Sequence, residues 1–161
     1  MEARTVTTLC YLERDGRYLM LHRTKKENDI NRDKYIGVGG HLEHGESPED
    51  CIRREIEEET GLRGGLLRLR GLLTFVIDDL DELSFLYTGS GFSGKLRDCD
   101  EGELVWIGRG AVGSLPLWEG DRLFFRLLEE DRPFFSLKLV YVHDRLISAA
   151  LDGEPLPLTA E

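Results

Sequence analysis

Three glutamates in one short stretch of the chain have a spacing that could hold a divalent cation. Glu55, Glu58 and Glu59 stand at i, i+3 and i+4, which places side chains on one face of an α-helix, whereas Glu57 points to the other side. Like charges at this spacing repel by roughly 0.2–0.5 kcal/mol per pair, and clustered carboxylate oxygens suit Mg²⁺ or Mn²⁺. The spacing therefore indicates a metal site; a plain solvated acidic face is the alternative.

The residues around this cluster predict the helix that would present it, over residues 48–60. Ser47 can cap the N-terminus, Pro48 suits the first helical position, and Gly61 can supply a left-handed stop. The preceding segment, residues 35–40, is rich in glycine, so its backbone can pass close to other groups. Backbone groups and carboxylates that meet at one point are what a metal-bridged phosphate requires.

Composition and charge limit the classes of protein to consider. The 161 residues (18.4 kDa) are 40% apolar and 32% charged, as expected for one globular domain. We expect no membrane span and no signal peptide, and three scattered cysteines favour a reducing, cytoplasmic location over a disulfide scaffold. A net charge of −10, of which −6 falls within residues 40–62, disfavours nucleic acid as a partner.

The alternation of apolar and polar segments predicts strands interspersed with two helices, hence a mixed α/β sandwich in a single domain over residues 1–161. The second helix is predicted at 121–130, and the tail at 152–161 is expected to be loosely held. The predicted strands are residues 4–12, 18–22, 66–77, 82–89, 104–107 and 134–142.

A longer pattern encloses the three glutamates. The chain matches the pattern G-x5-E-x7-R-E-U-x-E-E-x-G-U, where U is a bulky aliphatic residue, at all nine specified positions. The match begins at Gly40, includes Glu46 and ends with the run from Arg54 to Leu62. Through this motif, the Nudix box at residues 40–62, the chain resembles the Nudix hydrolases. The strand order around the box also resembles the Nudix α/β/α sandwich with its mixed sheet.

The resemblance implies a hydrolase of nucleoside diphosphates linked to another group, with Mg²⁺ or Mn²⁺ as cofactor. Glu46 and Arg54 would orient the metal-binding carboxylates. The residues that the resemblance places at the metal are Glu55, Glu58, Glu59 and the main-chain oxygen of Gly39.

A general base must take a proton from the attacking water. We prefer Glu58 for this role, with Glu55 and Glu101 as the next candidates, because members of the family differ on this point. Glu101, five residues before Trp106, stands where many members carry a loop carboxylate. A plain loop acid is the alternative for Glu101, and its close competitors are Asp98, Asp100 and Glu103.

Within the family, the order of segments resembles the 8-oxo-dGTP diphosphatase branch. Trp118 would stack on a purine or, alternatively, is an ordinary core aromatic; Asp121 would bind the purine edge. Ile36 stands where better-known oxidised-purine enzymes have an asparagine that reads the base. Asn28 or Asn31 could supply the missing asparagine from the loop. The remaining candidate substrate contacts are Lys26, in the pocket lining, and Gly40 and His41, near phosphate.

The leading hypothesis is therefore Mg²⁺-dependent hydrolysis of a nucleoside triphosphate to monophosphate and pyrophosphate, clearing oxidised purine nucleotides. Markers of other branches are missing: position 78 is Asp78 where ADP-ribose enzymes tend to have proline, and residues 74–80 lack the tyrosine of dinucleoside polyphosphate enzymes. The alternatives are a Nudix enzyme for another nucleoside diphosphate derivative and a nucleotide sensor without catalysis. The oligomeric state is left open.

Overall fold

Nine strands form one mixed β-sheet in the computed structural model, which describes residues 4–158. Two α-helices, α1 (Pro48–Thr60) and α2 (Asp121–Glu129), and a 3-10 helix at Arg109–Ser114 accompany the sheet. The strands are β1 (Thr5–Arg14), β2 (Arg17–Arg23), β3 (Tyr35–Ile36), β4 (Leu66–Ile77), β5 (Leu80–Ser90), β6 (Gly102–Gly108), β7 (Phe135–Val142), β8 (Arg145–Leu151) and β9 (Glu154–Leu156). The pairs β1–β5 and β4–β7 are parallel and the other pairs antiparallel, which confirms the mixed sheet.

The sheet opens between β1 and β2, and the glycine-rich segment enters the opening. The two strands are joined by a turn at Asp15 and Gly16, both with positive φ, but they pair only next to this turn. Farther along, the amides of Thr8 and Cys10 donate to the main-chain oxygens of Gly40 (2.9 Å) and Val38 (2.7 Å). Residues 38–41 are therefore held against β1 at the point where β2 turns away to pair with β3 and β6.

The helices cover opposite faces of the sheet. Helix α1 packs Ile52 and Ile56 into one group of buried residues, with Leu12 and Leu19 from the sheet. Helix α2 packs into a second, larger group that includes Phe124. Burial of both helices against one sheet confirms the single-domain α/β/α sandwich.

Helix α1 begins and ends where its local sequence signals predict. The Ser47 hydroxyl accepts from the Asp50 amide, and the Asp50 carboxylate accepts from the Ser47 amide, so the two residues form a capping box. Gly61, with φ of 80°, ends the helix in the left-handed conformation. Tyr87 of β5 also donates a short hydrogen bond to Glu49, which ties the first turn to the sheet.

The C-terminal part of the chain differs from expectation. Strand β8 has no counterpart in the sequence prediction, and β9 pairs with it through Ala149–Leu156, Ala150–Pro155 and Leu151–Glu154. The prediction of a loose tail from residue 152 is therefore wrong for Asp152–Leu156, because these residues form a turn and an edge strand. Positions 159–161 of the tail, and the bound at residue 161, lie outside the described residues.

Candidate active site

The glycine-rich segment lies directly against the carboxylates of α1. A Cβ atom added to Gly40 would lie 2.7 Å from the carboxyl carbon of Glu55, and one added to Gly39 would collide with the main-chain oxygen of Thr8. The amide of Gly39 donates to Glu59 of α1 (3.3 Å). Both glycines are therefore needed for the contact between segment and helix.

Glu59 is the most perturbed acid of the cluster. Burial, a hydrogen bond with Glu55 and the negative charges of Glu101 and Glu55 raise the pKa of Glu59 well above its ordinary range, although the Gly39 amide acts in the opposite direction. Carboxylates held this close, with too little positive charge around them, are the arrangement that a divalent cation relieves. The donor set thus fits Mg²⁺ or Mn²⁺ on its chemistry.

Arg54 fixes the orientation of the other acids. Its guanidinium makes two hydrogen bonds to the Glu46 carboxylate, at 2.7 and 2.9 Å, and further bonds to Glu55 (2.7 Å) and Glu58 (3.2 Å). The bond to Arg54, followed by the bond to the Glu43 amide, lowers the pKa of Glu46 to about 2. Arg54 also donates to the main-chain oxygen of His41, so it links α1 to the loop before it, as expected for an orienting role.

Glu55 and Glu58 sit at different depths although both bind Arg54. The side chain of Glu55 is 16% exposed and abuts Gly40, whereas that of Glu58 is 59% exposed. Glu58 lies at the solvent side of the cluster, where a water molecule can approach it.

Among the four acids considered for the loop after the box, the structure brings Glu101 to the cluster. One oxygen of Glu101 lies within 4.8 Å of ligand atoms of Glu59 and Cys99. Its carboxylate accepts from Arg23 (2.9 Å) and Lys26 (3.2 Å). Lys26 therefore reaches the acidic end of the site, while Asp98, Asp100 and Glu103 are not part of this group.

A cavity of about 470 Å³, a volume typical of small-molecule sites, is lined by the glycine-rich segment and Glu101 and also by Asp121, the first residue of α2. Gly39, Gly40, His41, Lys26 and Glu101 line one end. The opposite end is lined by Trp118 and Asp121, and its walls include Asn31, Ile36, Phe75, Ile77 and Leu80.

Trp118 belongs both to the cavity and to the core. Its side chain is 7% exposed and packs edge-on against Tyr141 at 5.1 Å between ring centroids. The indole Nε1 donates to Asn31 Oδ1 (2.7 Å), and the Lys34 ammonium lies over the ring, 4.6 Å from its centroid. Trp118 is therefore a core aromatic that also lines the cavity, and purine stacking on it stays a prediction.

Asp121 is a buried carboxyl at the same end of the cavity. Burial raises its pKa to about 8, although the positive charges of Arg122 and Lys34 act in the opposite direction. At neutral pH the side chain is consequently protonated, and a neutral carboxyl offers both a hydrogen-bond donor and an acceptor.

Sequence reasoning missed two residues at the site, Arg23 and Cys99, and the main contact of a third, Asn31. Arg23 binds both Asp29 and Glu101, Cys99 lies beside Glu59, and Asn31 holds the Trp118 indole. Asn31 had been named only as a possible substitute for the asparagine replaced by Ile36. These contacts join residues up to 87 positions apart, so no local spacing could have indicated them.

An α/β/α sandwich that presents a glutamate-rich helix to a glycine-rich segment beside a nucleotide-sized cavity defines the architecture of Nudix hydrolases. The NUDIX domain family model matches residues 1–128. The chain belongs to the Nudix family and is a hydrolase of that family, whose members generally use divalent metals and act on nucleotide derivatives.

Relatives of this chain place it near the MutT-like branch. It is 31% identical to the uncharacterised Nudix hydrolase YvcI of Bacillus subtilis over 71% of this chain and 72% of the relative. It is 26% identical to the oxidised purine nucleoside triphosphate hydrolase of Danio rerio, over 90% and 92% of the two chains. The crystal structure of a MutT protein from Bacillus halodurans superimposes with a TM-score of 0.83 at 26% identity, over 94% of this chain and 99% of the other.

Across residues 4–158, the structure contains no helix that is both long enough and apolar enough to cross a membrane.

Proposed function

We propose that this Nudix hydrolase cleaves nucleoside triphosphates, chiefly oxidised purine nucleotides such as 8-oxo-dGTP, to the monophosphate and pyrophosphate with Mg²⁺ or Mn²⁺. The observation that carries the proposal is one cavity that has Glu101, whose carboxylate lies beside Glu59, at one end and Trp118 and Asp121 at the other. A triphosphate can reach the first end while its base occupies the second. The activity named for the Danio rerio relative supports the same substrate class.

At the phosphate end, Glu55, Glu58, Glu59 and the main-chain oxygen of Gly39 would hold the cation, with Glu101 as a further carboxylate. A bound divalent cation shields phosphate charge and acidifies water. Arg54 holds Glu55 and Glu58 in position, and Lys26, beside Glu101, would bind phosphate oxygens. Gly40 leaves room for the Glu55 carboxylate because it carries no side chain, and both Gly40 and His41 line the cavity where phosphate would bind.

Within the cluster, Glu58 is the proposed general base. Its carboxylate lies at the solvent side, where it can accept a proton from a water molecule and release it to solvent. The side chain of Glu55 is only 16% exposed and abuts Gly40, and the Glu101 carboxylate already accepts from Arg23 and Lys26, so water reaches both less easily than it reaches Glu58.

At the base end, the neutral Asp121 carboxyl predicts a pH-dependent KM. Its donor and acceptor match the adjoining carbonyl and N–H of an oxopurine edge, and the donor is lost as pH rises through about 8, the pKa of Asp121. We expect the KM of the wild type for 8-oxo-dGTP to rise by about tenfold above that pH, because an unmatched buried polar group costs about 1–3 kcal/mol. Steady-state kinetics from pH 6 to 10 measures this.

Asp121→Asn is the matched control, since the amide keeps one donor and one acceptor at every pH. The ratio of the variant's KM to that of the wild type should fall as pH rises. A constant ratio across the range would show that ionisation of Asp121 does not govern binding.

Trp118 allows a second prediction at the base end. Trp118→Leu and Trp118→Phe both shrink a core side chain, but only phenylalanine retains an aromatic face. Since stacking of a base on an aromatic ring contributes about 1–3 kcal/mol, we expect Trp118→Leu to raise KM by about tenfold and Trp118→Phe to raise it much less.

Trp106→Leu, on β6 and outside the cavity lining, controls for the loss of an indole elsewhere. Equal KM values for Trp118→Leu and Trp118→Phe, with a loss of stability in both, would assign Trp118 to the core alone.

A rate comparison over several substrates tests the proposal as a whole. Purified protein with Mg²⁺ should release pyrophosphate fastest from 8-oxo-dGTP and other oxidised purine triphosphates, and chelation should stop the reaction. Faster cleavage of ADP-ribose, a nucleotide sugar or an unmodified triphosphate would transfer the assignment to another Nudix substrate. Binding without cleavage of any substrate would indicate the sensor alternative.

The chemistry of the chain also supports a proposed cytoplasmic location. Cys10, Cys51 and Cys99 are all buried free thiols, which suit a reducing compartment. The net charge of −10 suits a small nucleotide escorted by a cation better than it suits nucleic acid.

A further inference from the structure

Cys99 brings a sulfur atom to the acidic end of the cavity. One ligand atom each from Glu59, Cys99 and Glu101 lies within 4.8 Å of the other two. The Cys99 side chain is 5% exposed and is not in a disulfide. Within residues 4–158, no other side chain is hydrogen-bonded to the Cys99 thiol; its sulfur accepts from the main-chain amides of Glu101 and Gly102, and the main-chain oxygen of Cys99 accepts from Lys25. A buried sulfur held by two amides therefore lies beside two carboxylates.

This donor set differs in chemistry from the one that Mg²⁺ requires. Mg²⁺ and Mn²⁺ bind oxygen ligands, whereas a thiolate selects softer ions such as Zn²⁺, Cd²⁺ and Co²⁺. Two carboxylates and one thiolate are three protein ligands, the number that leaves a fourth tetrahedral position open. The Nudix box cannot account for Cys99, because it lies 37 residues beyond the end of the box.

We propose that Glu59, Cys99 and Glu101 form a binding site for a thiophilic divalent cation, with Zn²⁺ as the physiological candidate. Zn–S bonds of about 2.3 Å and Zn–O bonds of about 2.0–2.2 Å place ligand atoms about 3.5 Å apart. The side chains therefore need to approach each other by about 1 Å, which rotation of the half-buried glutamates provides. The thiol proton, and the proton that Glu59 holds in the metal-free protein, are released to solvent when the Zn–S and Zn–O bonds form.

The charges around the site are compatible with this ion. Two ionised carboxylates and a thiolate contribute three negative charges, and of these three ligands Glu101 is the one that Arg23 and Lys26 contact. The Gly39 amide donates to Glu59, and Glu59 also shares a hydrogen bond with Glu55, so a cation that binds Glu59 takes the place of the proton in that bond.

One consequence rests on the proposed function. Zn²⁺ at this site would take Glu59 and Glu101 from the cation that supports hydrolysis, so it should inhibit the Mg²⁺-dependent reaction. Cys99 would thus make the enzyme sensitive to zinc in a way that an all-oxygen site is not.

Cobalt binding tests the site without reference to catalysis. Titration of the reduced full-length protein with Co²⁺ should produce a near-ultraviolet thiolate-to-cobalt charge-transfer band that Zn²⁺ abolishes by displacement. Cys99→Ser should remove the band and weaken Zn²⁺ binding, measured by calorimetry, by more than about tenfold. Cys99→Ala serves the same purpose if the serine variant does not fold.

Cys51→Ser is the matched control, because Cys51 is also a buried free thiol near the cluster but its Sγ already contacts Thr8, Gly40 and His41. It should retain the band. A wild type without the band, a band that persists without Cys99, or a band lost equally in Cys51→Ser would each overturn the proposal.

A zinc titration of hydrolysis separates the site from the proposed function. Each protein is normalised to its own rate with Mg²⁺, and the concentration of Zn²⁺ for half inhibition should be about tenfold higher for Cys99→Ser than for the wild type. A cobalt band in a protein that hydrolyses no nucleotide would support the cation site and contradict only the proposed function. A protein that hydrolyses nucleotides but shows no cobalt band would support the proposed function and contradict the cation site.

Discussion

Glu59→Gln should lower turnover of the preferred triphosphate by roughly 10²-fold or more, and it should also stabilise the protein without metal. The loss follows from the proposed role of Glu59 as a metal ligand, since even the groups that support such ligands contribute about 10–100-fold. The gain follows from its raised pKa, which burial and the neighbouring Glu55 and Glu101 cause. Steady-state kinetics and thermal unfolding of the same preparations measure the two effects.

The sign of the stability effect can be worked out from proton binding. The folded state holds a proton on Glu59 at pH values where the unfolded chain has released it, so the stability of the metal-free wild type falls as pH rises above the ordinary pKa of a glutamate. Glutamine has no such proton to lose. We therefore expect the Tm of the variant to exceed that of the wild type at neutral pH, by about 2–4 °C for each kcal/mol recovered.

Added metal should reverse this order. A cation that binds only the folded state stabilises it by mass action, so Mn²⁺ or Mg²⁺ should raise the Tm of the wild type and have little effect on Glu59→Gln. A wild type whose Tm does not respond to either ion, or a variant that is less stable at every pH without metal, would contradict a metal role for Glu59.

Glu58→Gln is the second substitution with a large expected effect. It should fold normally and bind nucleotide, yet lose about 10²-fold or more in kcat, which is the usual contribution of a general base. Because the Glu58 side chain is 59% exposed, the substitution leaves the core undisturbed. Quantification of pyrophosphate release at saturating substrate, with KM determined separately, measures the loss.

Glu57→Gln controls for the removal of a negative charge from the same helix. Glu57 is exposed and only pairs with Arg63, at 3.8 Å, so its turnover should equal that of the wild type. If Glu58→Gln also retained wild-type turnover, the base would be sought at Glu55 or Glu101.

Helix α1 and the glutamate cluster could be predicted because their signals are local. A cap, a proline, two acids in the first turn and a terminal glycine all act within one turn of the residues they affect. The spacing of Glu55 and Glu59 likewise requires only helix geometry. The glycines at 39 and 40 indicated a close approach of backbone, and the structure shows its partners, Thr8 and Glu55.

The cavity could not be predicted in this detail, because its residues meet only through the tertiary fold. Arg23 reaches Glu101 from a strand 78 residues away, and Asn31 reaches Trp118 over 87 residues. Trp118 is an example, because the spacing of apolar residues along the chain cannot distinguish a side chain that lines a cavity from one that is buried in the core. The burial that raises the pKa of Asp121 is equally a property of the assembled core.

The end of the chain was mispredicted for a physical reason. Strand β8 includes an exposed Ile147 and two alanines, so its inward and outward residues alternate weakly. Strand β9 has only three residues and contains a proline, which an edge strand tolerates. Both strands depend on pairing to a neighbour rather than on their own propensity.

The opening between β1 and β2 also determines which parts of the molecule can be redesigned. Side chains added at Gly37, Gly39 or Gly40 would meet Cys10, Thr8 or Glu55, so this floor of the cavity admits almost no variation. The far walls, formed by the 23–34 loop and by residues near the β4–β5 turn, have open solvent beside Ile30 and Leu80. Attempts to give this scaffold new nucleotide preferences should therefore diversify those outer walls and leave the floor untouched.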